Sequence, residues 1–199
     1  MKKLLLLSAI AVFGFSNVNA QEEGESTKGF SKGDIFVTGS LSFGSESTGD
    51  IKENSFGFSP KAAYFVTENI AVGVALGYTS SKDEAPGVED IEINMLEAGV
   101  FGRYYLTPAK QFSIFGELGA NYQTSTWEQG PAELDTDGFN IGFAPGISYF
   151  VSDCIALEAS FGVLKYATSE PDVAGSESTD TFDFGLNLSD ISFGMVYKF

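Results

Sequence analysis

Residues 58–78 read FSPKAAYFVTENIAVGVALGY. Two alternating runs flank a short polar turn at Thr67–Asn69. Before the turn, Phe58, Ala62, Tyr64 and Val66 share one face. After it, Ile70, Val72, Val74, Leu76 and Tyr78 alternate with Ala71, Gly73, Ala75 and Gly77. Side chains along a strand point to opposite faces, so this period of two predicts a β-hairpin with one bulky apolar face. The unit recurs. Residues 143–156, FAPGISYFVSDCIA, repeat residues 58–71 at seven of fourteen positions with an offset of 85. A weaker copy, GRYYLTPAKQFSI, lies between them at 102–114. A hairpin every 40 to 45 residues is the signature of a repeating sheet.

Beyond this stretch, the same alternation predicts eight strands, over about 35–43, 56–66, 70–78, 96–106, 112–123, 139–151, 155–166 and 182–199. Most exceed the usual globular strand and suit tilted strands that cross a bilayer. One face is bulky and continuous. The other carries Gly, Ala and Ser, with Lys61, Glu97, Arg103, Glu117 and Glu158 among them, and Tyr166 is read on this small face too. Only the small set fits inside a narrow barrel, so the bulky set is expected to face lipid. Short turns at Thr67–Asn69, Thr107–Lys110 and Ser152–Cys154 alternate with long loops at 44–55, 80–90, 126–138 and 168–181. Aromatic residues cluster towards both ends, as interfacial girdles do. The expected fold is all-β, an eight-stranded antiparallel up-and-down transmembrane barrel. Pro60 and Pro145 predict a bulge or a missing ladder bond inside their strands, and a phase slip predicts a bulge near Ser189-Asp190.

The chain begins MKKLLLLSAIAVFGFSNVNA. Lys2 and Lys3, an apolar run to Phe15 and the small residues Val18 and Ala20 read as a secretory signal peptide over 1–20, cleaved before Gln21. Residues 21–32 read as a flexible lead-in, and 33–199 as the barrel domain. The whole chain carries 27 acidic and 11 basic residues. Without the leader's two lysines the charge is −18, which repels phosphate backbones and excludes nucleic acid as a partner. There is no histidine, and Cys154 is the sole cysteine, so neither an internal disulfide nor a His/Cys zinc site can form.

The signal peptide, the alternating strands, the FxPxxxYFV repeat and the ending ISFGMVYKF together resemble the small outer-membrane β-barrel family, the porin family that includes the OmpA transmembrane domain and OmpX. The resemblance covers about 33–199. It implies a barrel in the cell outer membrane of Gram-negative type, with outer-membrane lipid and lipopolysaccharide around it. It also implies that Ile191, Phe193, Met195, Tyr197 and Phe199 are the signal read by the barrel assembly machinery. With no peptidoglycan-binding domain after Phe199, the OmpA-type wall-anchoring role is not expected. Enzymatic barrels of this size, as the resemblance teaches, rely on a histidine that this chain lacks.

No catalytic, cofactor or metal site is assigned. Charges inside a barrel need partners, so Lys61, Glu97, Arg103, Glu117 and Glu158 are expected to form a salt-bridge network. Pairing Leu106 with Phe112 would set Arg103 opposite Phe115 and diagonal to Glu117. The preferred reading is a non-enzymatic barrel, plugged by that network, with a structural or surface-interaction role. Two alternatives stand beside it: a small porin passing ions or small solutes, and a secreted soluble ligand-binding barrel. The four loops hold fifteen acidic residues against Lys52 and Lys82. They read as a solvated acidic surface, with weak divalent-cation binding as the alternative, for which Glu133, Asp135 and Asp137 are the spaced carboxylates.

Overall fold

The computed structural model describes residues 28–185 and 191–199. The signal peptide and the slip near Ser189-Asp190 lie outside the described residues. Ten strand segments follow one another: β1 (Ile35–Thr48), β2 (Ile51–Phe65), β3 (Ile70–Glu84), β4 (Ile91–Tyr105), β5 (Phe112–Gln129), β6 (Ala132–Phe150), β7 (Ile155–Phe161), β8 (Leu164–Pro171), β9 (Thr179–Phe184) and β10 (Ile191–Lys198). Each pairs antiparallel with its neighbours, and the β5–β6 ladder closes the order β5-β4-β3-β2-β1-β10-β7-β6 into a ring. The result is a closed eight-stranded barrel, with β7 and β8 as one stave and β9 and β10 as the last.

The alternation sorts the side chains as their sizes require. Leu41, Val74, Val100, Leu118, Leu157 and Phe193 stand exposed on the outside, while Phe36, Phe65, Ala71, Tyr105, Phe115, Phe150, Ala156 and Val196 are buried inside. A continuous apolar surface of that extent is stable only against hydrocarbon. Its height agrees. On β5 the outward aromatics Phe112 and Tyr122 are separated by ten residues, as are Phe139 and Tyr149 on β6. At about 3.3 Å per residue and a tilt near 40°, that is roughly 25 Å along the bilayer normal.

The outer ends differ from expectation. Residues 44–55 and 126–138 are ladders rather than loops: β1 pairs β2 as far as Thr48↔Ile51, and β5 pairs β6 as far as Gln129↔Ala132. Gly49 at φ +63° and Gly130 at φ +55° turn these hairpins in two residues. Above the membrane both faces of a strand meet water, so no apolar alternation announces them. The connections of 80–90 and 168–181 shorten to residues 85–90 and 172–178.

The prolines act as their chemistry demands. The β2–β3 ladder skips Ser59 and Pro60 without changing register, because Pro60 has no N–H to donate. Near Pro145 the β6 partner sum moves from Gly146↔Ser160 to Phe143↔Leu164, which inserts one extra residue on the facing stave at Gly162-Val163. That bulge reverses the in/out phase. Tyr166 therefore lies opposite the outward Ile141 and is exposed, contrary to its expected inward placement. On the last stave the register goes from Phe161↔Ile191 to Leu164↔Phe184.

Candidate functional site

Within the spanning part of the barrel, Lys61, Glu97, Arg103, Glu117 and Glu158 are gathered in the lumen. Arg103 points inward because Phe101, Arg103 and Tyr105 alternate with Val100, Gly102 and Tyr104 on β4. It lies directly across from Glu117, and Tyr105 across from Phe115. The expected diagonal is thus corrected by two residues. The turn is longer than the sequence suggests: Leu106 N donates to Ile114 O at 2.9 Å, and Gln111 is drawn aside by its side-chain bond to Phe150 O at 2.9 Å.

Four of the five charged candidates meet. Arg103 Nε donates to Glu117 Oε2 at 2.5 Å, and Lys61 Nζ to Glu117 Oε1 at 2.5 Å. Arg103 Nη1 donates to both oxygens of Glu158, at 2.9 and 3.0 Å, and to Tyr105 OH at 3.1 Å. Thr38 Oγ1 donates to Glu158 Oε2 at 3.4 Å. Arg103 is 4% exposed and Glu158 7%. Two cations and two carboxylates cancel here, which is what allows them to leave water. The guanidinium also lies 4.4 Å from the Phe115 ring centre and 5.4 Å from that of Phe101. Glu97 stands apart. Its only partner among the described residues is Asn140, whose Nδ2 reaches Glu97 Oε1 at 3.4 Å.

Beneath the charges lies a layer that sequence reasoning missed. Phe30 is 1% exposed although it belongs to the segment read as a flexible lead-in. Its ring sits 4.8 Å from those of Phe65 and Phe150 and 5.2 Å from those of Phe36 and Tyr105. Phe30 N donates to Pro108 O at 2.8 Å, and Lys198 Nζ to Gly29 O at 2.5 Å. A Cβ on Gly29 would stand 2.5 Å from the Ala109 carbonyl carbon, so this close approach requires glycine. A single aromatic in a polar stretch was the only sign of this floor. Tyr105 and Thr38 were legible as inward residues, though not as partners of the charges.

Interior packing loosens from floor to loops. On β4, Tyr105, Arg103 and Phe101 are buried, whereas Gly99, Glu97 and Met95 are half-buried. A cavity of about 260 Å³ lies in this looser part, lined by Arg103, Lys61, Glu97, Asn121 and the serines of several staves.

The remaining candidates are dispersed. Ile191, Phe193, Met195, Tyr197 and Phe199 all face outward and are exposed, and Phe199 N donates to Ile35 O at 2.9 Å. Glu133, Asp135 and Asp137 are exposed at every second residue of β6. Carboxylates so spaced stand roughly 7 Å apart along an extended chain. Among the described residues no three acidic side chains gather as a metal site. Outside the membrane, Lys82 Nζ lies 2.8 Å from Asp90 and 3.0 Å from Glu84; hydrogen bonds to these two hold its ammonium above the ordinary lysine range.

A closed antiparallel barrel with an apolar belt and a charged interior defines a membrane-spanning β-barrel protein. The family model for the outer membrane protein beta-barrel domain matches residues 7–199, and the chain belongs to that family. No curated protein matches. Among solved structures, the outer membrane protein OprG of Pseudomonas aeruginosa is similar at TM-score 0.56 and 14% identity, covering 86% of this chain and 98% of that one. Neisserial surface protein A (NspA) is similar at 0.53 and 16%, covering 84% and 100%. A major outer membrane protein of Thermus thermophilus is similar at 0.51 and 10%, covering 83% and 99%. At these identities the likeness is one of fold. Family membership sets aside the secreted soluble barrel.

Proposed function

We propose that this protein is a non-enzymatic outer-membrane barrel whose lumen is shut to permeation and whose role is structural or exerted at its loop-side surface. The observation that supports this is double closure. The Phe30 layer and the Arg103 layer lie one above the other, each made of side chains packed or ion-paired across the barrel. Water and ions would have to displace both. Lys61, Arg103, Glu117 and Glu158 are spent on one another, which argues against proton transfer as their task. On this reading the short turns face the periplasm, the acidic hairpins face outward beside lipopolysaccharide, and the Phe199 ending serves assembly.

Single-channel recording tests it. Mature protein, refolded in detergent with a heat-dependent gel shift as proof of folding, is expected to insert into planar bilayers without discrete conductance steps. The second reading, a small porin, is favoured by the polar cavity above Arg103. It predicts steps whose size changes with Glu117→Gln or Arg103→Gln.

A further inference from the structure

We propose that the loop-side mouth of the barrel is a vestibule for a small amphiphilic organic cation, an apolar body that carries one ammonium on a short arm. Beyond the outer girdle of Tyr122 and Phe139, the inner face of the strand extensions divides into two walls of opposite character. Residues directly opposed on neighbouring strands point to the same side of the sheet. Ile93 pairs Trp127, and Trp127 pairs Leu134, so these three form one apolar row across β4, β5 and β6. Ile93 has the parity of Glu97 and Arg103, which sets the row on the inside. Trp127 and Leu134 are half-buried there, whereas Glu128, Glu133 and Asp135 on the other face are exposed.

The next row outward runs Glu46↔Glu53, Glu53↔Asp83 and Asp83↔Ile91. It lays three carboxylates side by side across β1, β2 and β3, on the same inner face. Like charges directly opposite one another repel. No lysine or arginine stands on either row. Lys52 and Lys82 alternate with Glu53 and Asp83 and so stand on the outer face, where Lys82 pairs with Glu84 and Asp90. Asp83 Oδ1 is buried and has no hydrogen-bond partner among the described residues. The acidic wall therefore lacks a cation, and the wall beside it is apolar.

That pairing selects the occupant. A bare metal ion would need the carboxylates to gather, and among the described residues no three acidic side chains do. A helix, about 10 Å across, is wider than the interior that eight strands leave once side chains line it. The two walls are close enough for a small molecule. Asp83 lies one strand across and two residues along from Ile93, and two strands across from Trp127. At about 4.8 Å per strand and 3.3 Å per residue, the backbones are about 8 and 12 Å apart, and the side chains lean into that gap. A ring resting on Ile93 and Trp127 can thus present a short ammonium arm to Asp83 and Glu53.

The inference rests on the loop-side surface as the working face of the protein and is independent of a shut lumen. Trp127 is the sole tryptophan of the chain, so its fluorescence reports on the vestibule alone. The refolded mature protein, in an uncharged detergent, is titrated with phenethylammonium, phenethyl alcohol, hydrocinnamate and methylammonium. Phenethylammonium is expected to change the emission saturably, at least tenfold more tightly than the neutral alcohol, the anion or the bodiless cation. Asp83→Asn combined with Glu53→Gln, checked for folding by gel shift, is expected to bring it down to the affinity of the alcohol. No emission change with phenethylammonium, equal affinity for the cation and the alcohol, or equal affinity for methylammonium would each overturn the vestibule. So would displacement of phenethylammonium by a tenfold lower concentration of calcium or tetralysine, which would assign the acids to a metal ion or a basic peptide. Should the double variant not fold, the isosteres on the parent protein still decide. A conducting barrel that binds phenethylammonium would overturn the closed lumen alone, and a silent barrel that does not bind it would overturn the vestibule alone.

Discussion

At the residue scale, Arg103 and Phe30 do different work. Among the described residues Arg103 alone touches both Glu117 and Glu158, so removing it leaves the buried Glu158 with no cation beside it and Glu117 with Lys61 alone. Arg103→Met is expected to cost about 3–5 kcal/mol, read as a lower urea midpoint of the refolded barrel. Glu97→Gln, which breaks no ion pair, is expected to leave that midpoint nearly unchanged. Phe30→Ala removes an aromatic from a packed cluster and is expected to cost about 3 kcal/mol or more in the same assay. It is nevertheless expected to leave the barrel electrically silent, because the ion layer remains above it. Conductance from Phe30→Ala alone would show that the charges by themselves do not seal the lumen.

At the element scale, the hairpins owe their outer turns to single glycines. Gly49 has φ +63°, and a methyl group added there would meet no atom within 4 Å, so space is free and backbone strain alone opposes a side chain. Gly49→Ala is expected to destabilise by about 1 kcal/mol, measured by urea titration. Gly73 is the opposite case. A Cβ there meets Ala62 O and stands 2.7 Å from the Phe101 ring, so Gly73→Val is expected to disturb the inside of β3 and reduce refolding yield on the gel-shift assay. Strand existence was legible in the period of two wherever one face meets lipid. The outer halves of β5 and β6 were not, since between Thr126 and Asp137 the few apolar residues, Trp127, Ala132 and Leu134, do not keep one parity and so carry no period of two.

At the scale of the whole molecule, the apolar belt sets the position in the bilayer. Leu118 is outward, exposed, and near the middle of the span between Phe112 and Tyr122. Leu118→Arg is expected to cost about 2–4 kcal/mol in lipid vesicles, against about 0–1 kcal/mol for Thr124→Arg just beyond the girdle. Equal effects at the two sites would contradict the placement of the belt.

The barrel, its staves and, up to the bulge at Gly162-Val163, the strand residues that face inward follow from the amino-acid order alone, because a strand offers only two faces and the continuous bulky apolar one must meet lipid. Lys61, Arg103, Glu117 and Glu158 could be named as lumen charges from parity. Their partners could not. Parity is blind to a shift of two residues, so the direct Arg103–Glu117 pairing waited on how many residues the 106–111 turn consumes. The isolation of Glu97 and the arrival of Phe30 in the floor depend on contacts across the barrel between staves distant in sequence. Only closure of the ring brings those staves face to face.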